Sequence, residues 1–471
     1  MIELLPTEVI QEIFSYLDTN DLTLSVQHVN SRWKALYRDK KLWKDRVFEP
    51  DDRMLDEDIV HALKNMPYLR AYVSTGATNT ELIINALCTY CDDIDCLDFD
   101  GSCILEYSLL VKFTNSFSNI QKLTIPYLEE DNPLQFSQLI GSLQNLTHLG
   151  FTTRFSFVPD GVLKPIADGC PSLSHLDLWD NRFKDEDIKY FLTKKQTQLL
   201  SFRVECYISL ETFKCILQCK NLKNLQYTGI GYCPDETSNN IKLLENLKNL
   251  KTLMLWYLTE TQFRVVPCFL EAGCLANVTK LGFIAYDLYD LSSVVRNCPQ
   301  LIDLSVNGAT PVLEEGFKHI GNCKNLRSLS FPRCSNVTSK CLEYVAAGCP
   351  NLRKLDLSNC CSLNDSLLPS VLKCKNLRVL DISHSGFRGT NFHLIPSHLV
   401  QLRELVIYEC QVRNRVWDRL LKQMPHLKLT GKFVDSDHEY TFDDNDDDDD
   451  DDDFDDYDDS DYDDEDFDDD D

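Results

Sequence analysis

The chain has 471 residues, of which 43% are hydrophobic and 10% aromatic, enough apolar material for a large core. Its net charge of −28 is concentrated at one end: Asp443 to Asp471 holds 23 acidic residues and no Lys or Arg, leaving −5 for residues 1–442. This mildly acidic body gives no reason to expect a direct nucleic-acid partner.

The N-terminus lacks a basic leader and is amphipathic from the start, so it does not read as a secretory signal. No run of about 18 uninterrupted apolar residues occurs, and no membrane span is expected. The 20 cysteines sit in a long chain without an export signal, which predicts reduced, buried, small hydrophobes rather than a disulfide scaffold. A cytoplasmic or nuclear location follows, or both.

Residues 4–48 predict three short helices. In "LLPTEVIQEIFSYLD", Val9, Ile10, Ile13, Phe14 and Leu17 form a broad apolar stripe, widened by Tyr16. Thr7 is the expected N-cap of this helix, Asp18 or Asn20 of the second, and Asn30 or Ser31 of the third. About 45 residues lie near the lower limit for unaided folding, and their apolar groups are too many for three short helices to enclose. Either the surplus packs on the first repeats of the downstream chain or it docks another protein, and composition leaves both open.

From about residue 67 a repeat takes over. L-x-x-L-x-L units start at anchors running from Ile94 through Leu173, Leu250 and Leu352 to Leu427, with spacings of 23 to 28 residues, and a weaker unit precedes them at Leu69. The period is that of leucine-rich repeats. Each L-x-L strand is too short to stand alone, so neighbours must stack into one parallel sheet, with helical return segments such as "SKCLEYVAAGC" on the convex side. The expectation is an α/β horseshoe of about 14–15 units of roughly 25–26 residues over 67–432, with 1–48 as the helical module and 49–66 as linker and start of the solenoid. Cys88, Cys91, Cys96 and Cys103 could supply four zinc thiolates. The rival reading makes Cys91 the repeat cysteine and runs a strand through Ile94, Leu97 and Phe99; it is preferred, and no metal is expected.

The helical module resembles an F-box. Leu5-Pro6, Glu8, Ile13, Leu17, Asp21-Leu22, Val29, Trp33 and Leu42-Trp43 stand in that family's order and approximate spacing. Cys170, Cys298, Cys323, Cys349 and Cys374, with Cys334, Cys360 and Cys410, resemble the cysteine-containing leucine-rich repeats found in F-box proteins. The resemblance implies docking on the Skp-type adaptor of a Skp, cullin and F-box (SCF) ubiquitin ligase, and through it on a cullin scaffold and a RING subunit. It makes Leu5, Pro6, Glu8, Ile13, Leu17, Leu22, Val29 and Trp33 adaptor-contact candidates, with Trp43 assigned to the junction with the first repeat. The chain would then be the substrate-recognition subunit, directing a bound protein to proteasomal degradation. The motif begins almost at Met1, so the N-terminal regulatory extension of some relatives is expected to be missing. Without its adaptor, this end should be the aggregation-prone one.

Residues alternating with the buried leucines should line the concave face. They place His175, Asp177, Trp179, Arg203, Met254, Trp256 and Tyr408 as substrate-contact candidates, Trp, Tyr and Arg being the residues that dominate binding hot spots. The alternative for Trp179 and Trp256 is packing along the face against neighbouring side chains. No P-loop, H-E-x-x-H or G-x-S-x-G occurs, "GIG" at 229–231 is too short for a phosphate site, and the His residues lack metal spacing. Neither catalysis nor a cofactor is expected.

Residues 433–471 read as a disordered acidic tail, because like charges repel and only Phe454, Tyr457, Tyr462 and Phe467 could build a core. Alternatively it captures a basic partner, or binds basic patches of the horseshoe. Ser460 resembles an acid-directed kinase site. Repeats followed by an acidic segment also resemble the acidic leucine-rich nuclear phosphoproteins, which bind histones, and the Ran GTPase-activating protein. Both families lack an F-box. An adaptor-independent scaffold is a further alternative.

Overall fold

The computed structural model describes residues 5–44, 46–51, 54–74, 79–99, 104–129, 133–153, 158–179, 182–206, 208–228, 243–256, 269–270, 272–284, 291–308, 314–334 and 336–431. The acidic tail, Ser460, Cys103 and the 229–231 stretch lie outside them.

The N-terminal module runs as a helix over Thr7–Ser15, a helical stretch from Thr19 to Val29 with a wider π-type turn at Leu22–Val26, a helix over Ser31–Tyr37 and a last turn over Lys40–Trp43. Asp18 caps the second segment through the Asp21 N–H at 2.6 Å, and Asn30 caps the third through the Trp33 N–H at 2.8 Å. Thr7 is not a cap: Pro6 holds that position without a side-chain bond, and the Thr7 hydroxyl accepts from Arg32 instead. The other end of this helix is closed by Arg46, which donates to the carbonyls of Phe14 and Leu17, both at 2.7 Å. Phe14 packs edge-on to Trp33, and Tyr37 edge-on to Trp43.

The module runs directly into the solenoid. Val47–Phe48 is already a strand, paired in parallel with Ala71–Tyr72. Buried Asn65 accepts from Arg38 at 3.0 Å and donates to Gln27 at 3.3 Å, tying the repeats to the third and second helical segments. Trp43 is fully buried near this junction.

Among the described residues one all-parallel sheet of 17 strands carries the chain to Lys428–Thr430, each strand hydrogen-bonded to its neighbours in sequence except that Cys96–Phe99 pairs with Lys122–Glu129, past Ile104–Glu106. The fold is thus a three-helix F-box-type module followed by a leucine-rich-repeat solenoid. Every anchor from Ile94 to Leu427 is buried, as is Leu69, whose unit supplies the strand Ala71–Ser74. One strand escaped the periodicity: Ile104–Glu106 lies within the repeat anchored at Ile94 and pairs with Tyr127, Leu128 and Glu129 of the next repeat's strand.

The return segments stack through two devices. Asparagines before the anchors form a ladder to carbonyls one repeat earlier: Asn249 to Lys220 at 2.8 Å, Asn277 to Lys248 at 3.0 Å, Asn351 to Lys324 at 3.0 Å and Asn376 to Pro350 at 2.7 Å. Each satisfies a carbonyl that the turn would leave unpaired. Repeat cysteines do the same from inside, Cys170 to the Ile140 carbonyl at 3.2 Å and Cys349 to Ile320 at 3.4 Å. Burial pushes the Cys170 thiol up to about 11 and the Cys349 thiol up to about 12, so both stay protonated donors. None of the described cysteines is in a disulfide.

Candidate functional site

Two surfaces stand out. The first is the outer side of the helical module, where Val9, Ile13, Tyr16, Leu24 and Val29 are exposed, Tyr16 by 81% and Leu24 by 57%. Among the adaptor-contact candidates, Pro6, Glu8, Ile13 and Val29 are exposed, while Leu5, Leu17 and Trp33 are half-buried. Leu22 is different. It is fully buried: Leu22 and Val26, one helical turn apart, point inward, and Leu24 between them points outward. Leu22 therefore belongs to the module's core, and Leu24, Val9 and Tyr16 join the surface that sequence spacing had not assigned to contacts.

The second surface is the concave face of the sheet. Parallel pairing aligns Cys96, Lys122, His148, His175 and Ser201 in one row, and Asp98, Thr124, Gly150, Asp177 and Arg203 in the next. His148 and His175 stack with centroids 3.7 Å apart. Their Nδ1 atoms share hydrogen bonds with the Thr147 and Ser174 hydroxyls at 2.8 and 2.9 Å. Burial, with His175 and Lys122 adding to it, lowers His148 to about 4, so that ring is neutral at physiological pH. Burial lowers His175 as well, and it raises Asp177 against the opposing pull of Arg203 and Lys122. Lys122 pairs with Asp98, and Arg203 with Glu205 at 2.7 Å.

Both candidate tryptophans lie along the face. Trp179 reaches over Gly150 of the preceding strand, where an added Cβ would stand 3.2 Å from its ring, and the Arg203 guanidinium sits 5.5 Å from the ring centre. Trp256 and Met254 lean in the opposite direction, over Gly282 of the following strand, and fill the space a side chain there would need. That leaves Met254 buried although it belongs to the concave row, so it supports Trp256 instead of offering an open contact. Tyr408 stands apart, 41% exposed, beyond the end of strand Glu404–Val406. The structure therefore brings His175, Asp177, Trp179 and Arg203 together and separates them from Met254, Trp256 and Tyr408. Lys122, Asp98 and His148 complete the first group. Sequence reasoning missed them, although they hold the same positions in earlier repeats.

Of the zinc spacing, Cys88, Cys91 and Cys96 lie among the described residues and do not gather into a ligand cluster. Cys91 is a repeat cysteine whose thiol meets the Met66 carbonyl at 3.7 Å, and among the described residues no group of three or more His, Cys, Asp or Glu is placed to hold a metal. No described helix is long and apolar enough to cross a membrane.

A helical head feeding a parallel solenoid defines the class, and comparisons with known proteins identify the head. An F-box-like family model matches residues 2–49, and a leucine-rich-repeat model matches residues 348–366. The chain is 24% identical over 372 residues to F-box/LRR-repeat protein 21 of Mus musculus, covering 72% of this chain and 79% of that protein. It is 32% identical over 116 residues to F-box protein FBX14 of Arabidopsis thaliana, covering 23% and 18%. It is 30% identical over 149 residues to F-box/LRR-repeat protein 4 of Bos taurus, covering 31% and 20%. Among solved structures, the yeast Rad7 and Elc1 complex matches over 90% of this chain and 93% of that one, at 14% identity and a TM-score of 0.44. A leucine-rich-repeat protein of Leptospira interrogans matches over 90% and 97%, at 15% identity and a TM-score of 0.37. These matches show an F-box-like segment followed by leucine-rich repeats, the architecture of the F-box/LRR-repeat proteins the chain resembles.

Proposed function

We propose that this chain is the substrate-recognition subunit of an SCF-type ubiquitin ligase. The observation that carries the reading is the exposed apolar groups of the F-box-like module: Val9, Ile13 and Tyr16, spaced along one face of the first helix, and Leu24 and Val29 of the second segment. Large apolar groups clustered in this way mark a docking surface. The Skp-type adaptor is the partner that an F-box implies, and it would link the chain to a cullin and a RING subunit.

The horseshoe then holds the protein to be modified. The N-terminal half of its concave face, with Trp179 and Arg203 beside the stacked rings of His148 and His175, offers an aromatic and cationic anchor of the type that dominates hot spots. The chain contributes proximity and orientation, not catalysis of its own. It works in the cytoplasm, the nucleus or both. The test is reconstitution: the full chain, mixed with the cullin and RING subunits, should bring down the cullin only when the adaptor is present. Adaptor-independent capture of the cullin, or no capture with the adaptor, would reject the reading.

A further inference from the structure

Past the last strands, the segments after Asp381 and Val406 meet the helix Asn414–Gln423 around a cavity of about 950 Å³. Four arginines line it, Arg388, Arg413, Arg415 and Arg419, all exposed and none in an ion pair among the described residues. Asp365 of the neighbouring repeat accepts from the Arg388 and Gly389 N–H groups at 3.1 and 3.0 Å, and Asp418, exposed on the same helix as Arg415 and Arg419, is not among the residues that line the cavity. The rest of the lining mixes Thr390, His393, Gln411 and Gln423 with Phe392, Val416 and Leu420; Phe392 and Leu420 are buried, and Phe392 packs edge-on to Trp417. Four like charges held around one hollow repel each other until an anion joins them. The fitting ligand has several carboxylates and at least one aromatic ring, for guanidiniums pair with the first and stack on the second.

The chain carries such a segment. In residues 443–471 the aspartates are interrupted by Phe454, Tyr457, Tyr462 and Phe467. The approach is short. Gly431 comes directly after the last strand and lies against Tyr408, its added Cβ 3.1 Å from the Tyr408 nitrogen, and Arg413 of the cavity comes five residues after Tyr408. Residues 432–442 could span up to about 38 Å if extended. Tethering at that length corresponds to an effective concentration of order millimolar.

We propose that the arginine-lined cavity is the docking site of the chain's own acidic tail, with one tail aromatic against the apolar part of the lining at Phe392, Val416 and Leu420 and its flanking aspartates on the arginines. The tail is then a built-in occupant that any foreign acidic ligand must displace. This inference is independent of adaptor docking.

The test uses the full chain with Tyr457 replaced by photoreactive p-benzoylphenylalanine, irradiated at low protein concentration, with cross-links located by mass spectrometry. Cross-links within one chain to 388–393 and 411–423 are expected. At about 1 M salt, where the Debye length shrinks to about 3 Å, their yield should fall by about tenfold. The pair Arg415→Glu with Arg419→Glu should abolish them. A second variant leaves the cavity untouched and changes the aspartates between 451 and 459 to Asn; it too should lose them. Cross-links scattered over the horseshoe, confined to the tail, formed between two chains, or unchanged in either variant would overturn the proposal.

Discussion

Two regions of this molecule treat their apolar side chains in opposite ways. Of the twelve large apolar side chains that are exposed among the described residues, six (Val9, Ile13, Tyr16, Leu24, Val29 and Val47) fall in the first 48 residues, and the other six are scattered from Leu55 to Leu421. In the solenoid each repeat presents a stripe that the next repeat covers, so burial propagates along the sheet. The helical module is covered on one side only, where Trp43, Phe48 and Asn65 meet the first repeat. An apolar face left over by a stacking architecture is what a partner protein can complete.

That contrast can be broken first in the solenoid. Leu352→Ala deletes a fully buried anchor, and denaturant unfolding should register a loss of about 2–5 kcal/mol. Since repeats communicate through nearest neighbours, the damage should loosen the flanking C-terminal units and leave adaptor binding at the far end intact. A smaller effect is expected on the concave face. Gly282→Ala would push Met254 and Trp256 off their resting place, at a cost of about 1–3 kcal/mol in the same assay.

The smallest effect is one of pH. His148 is held to about 4, below the usual value of about 6.5 for an unfolded histidine, so between these values the unfolded chain binds more protons than the folded one. Stability from this group is complete above pH 6.5 and declines as pH falls toward 4. Asp177, raised by burial, works in the opposite sense and loses stability as pH rises above the ordinary carboxylate range. Thermal melts at pH 4.5 and 7 should therefore show a smaller gap in His148→Asn than in the parent chain, with Asp177 unchanged in both.

Much of the fold could be read from the sequence because a repeat reports one physical requirement many times. Each anchor from Ile94 to Leu427 is buried, and the alternation His175, Asp177 against Leu176, Leu178 does face opposite sides. Singular features were harder to read. The strand Val47–Phe48 is only two residues long and owes its existence to Ala71–Tyr72, far outside any local pattern. Leu22 and Val26 point inward at ordinary i, i+4 helical spacing while Leu24 points outward, so the contact role of Leu22 comes from the family resemblance and not from its own periodicity. Met254 lost its exposure to a missing side chain at Gly282, one strand away. The pairing of His148 with His175 required the strand register, which fixes who stands beside whom.

The central claim is that the apolar side of the helical module is a docking face and not a spare core. The most direct measurement is the affinity of the full chain for a Skp-type adaptor by titration calorimetry, before and after Ile13→Asp with Leu24→Asp, with melting temperatures recorded for both proteins. The account predicts an equimolar complex for the parent chain. For the variant it predicts affinity reduced by about 100-fold or more. Stability should change by no more than about 0.5 kcal/mol, since both side chains are exposed in the free protein. Equal adaptor affinity in the two proteins, or a variant that unfolds while binding is retained, would contradict it.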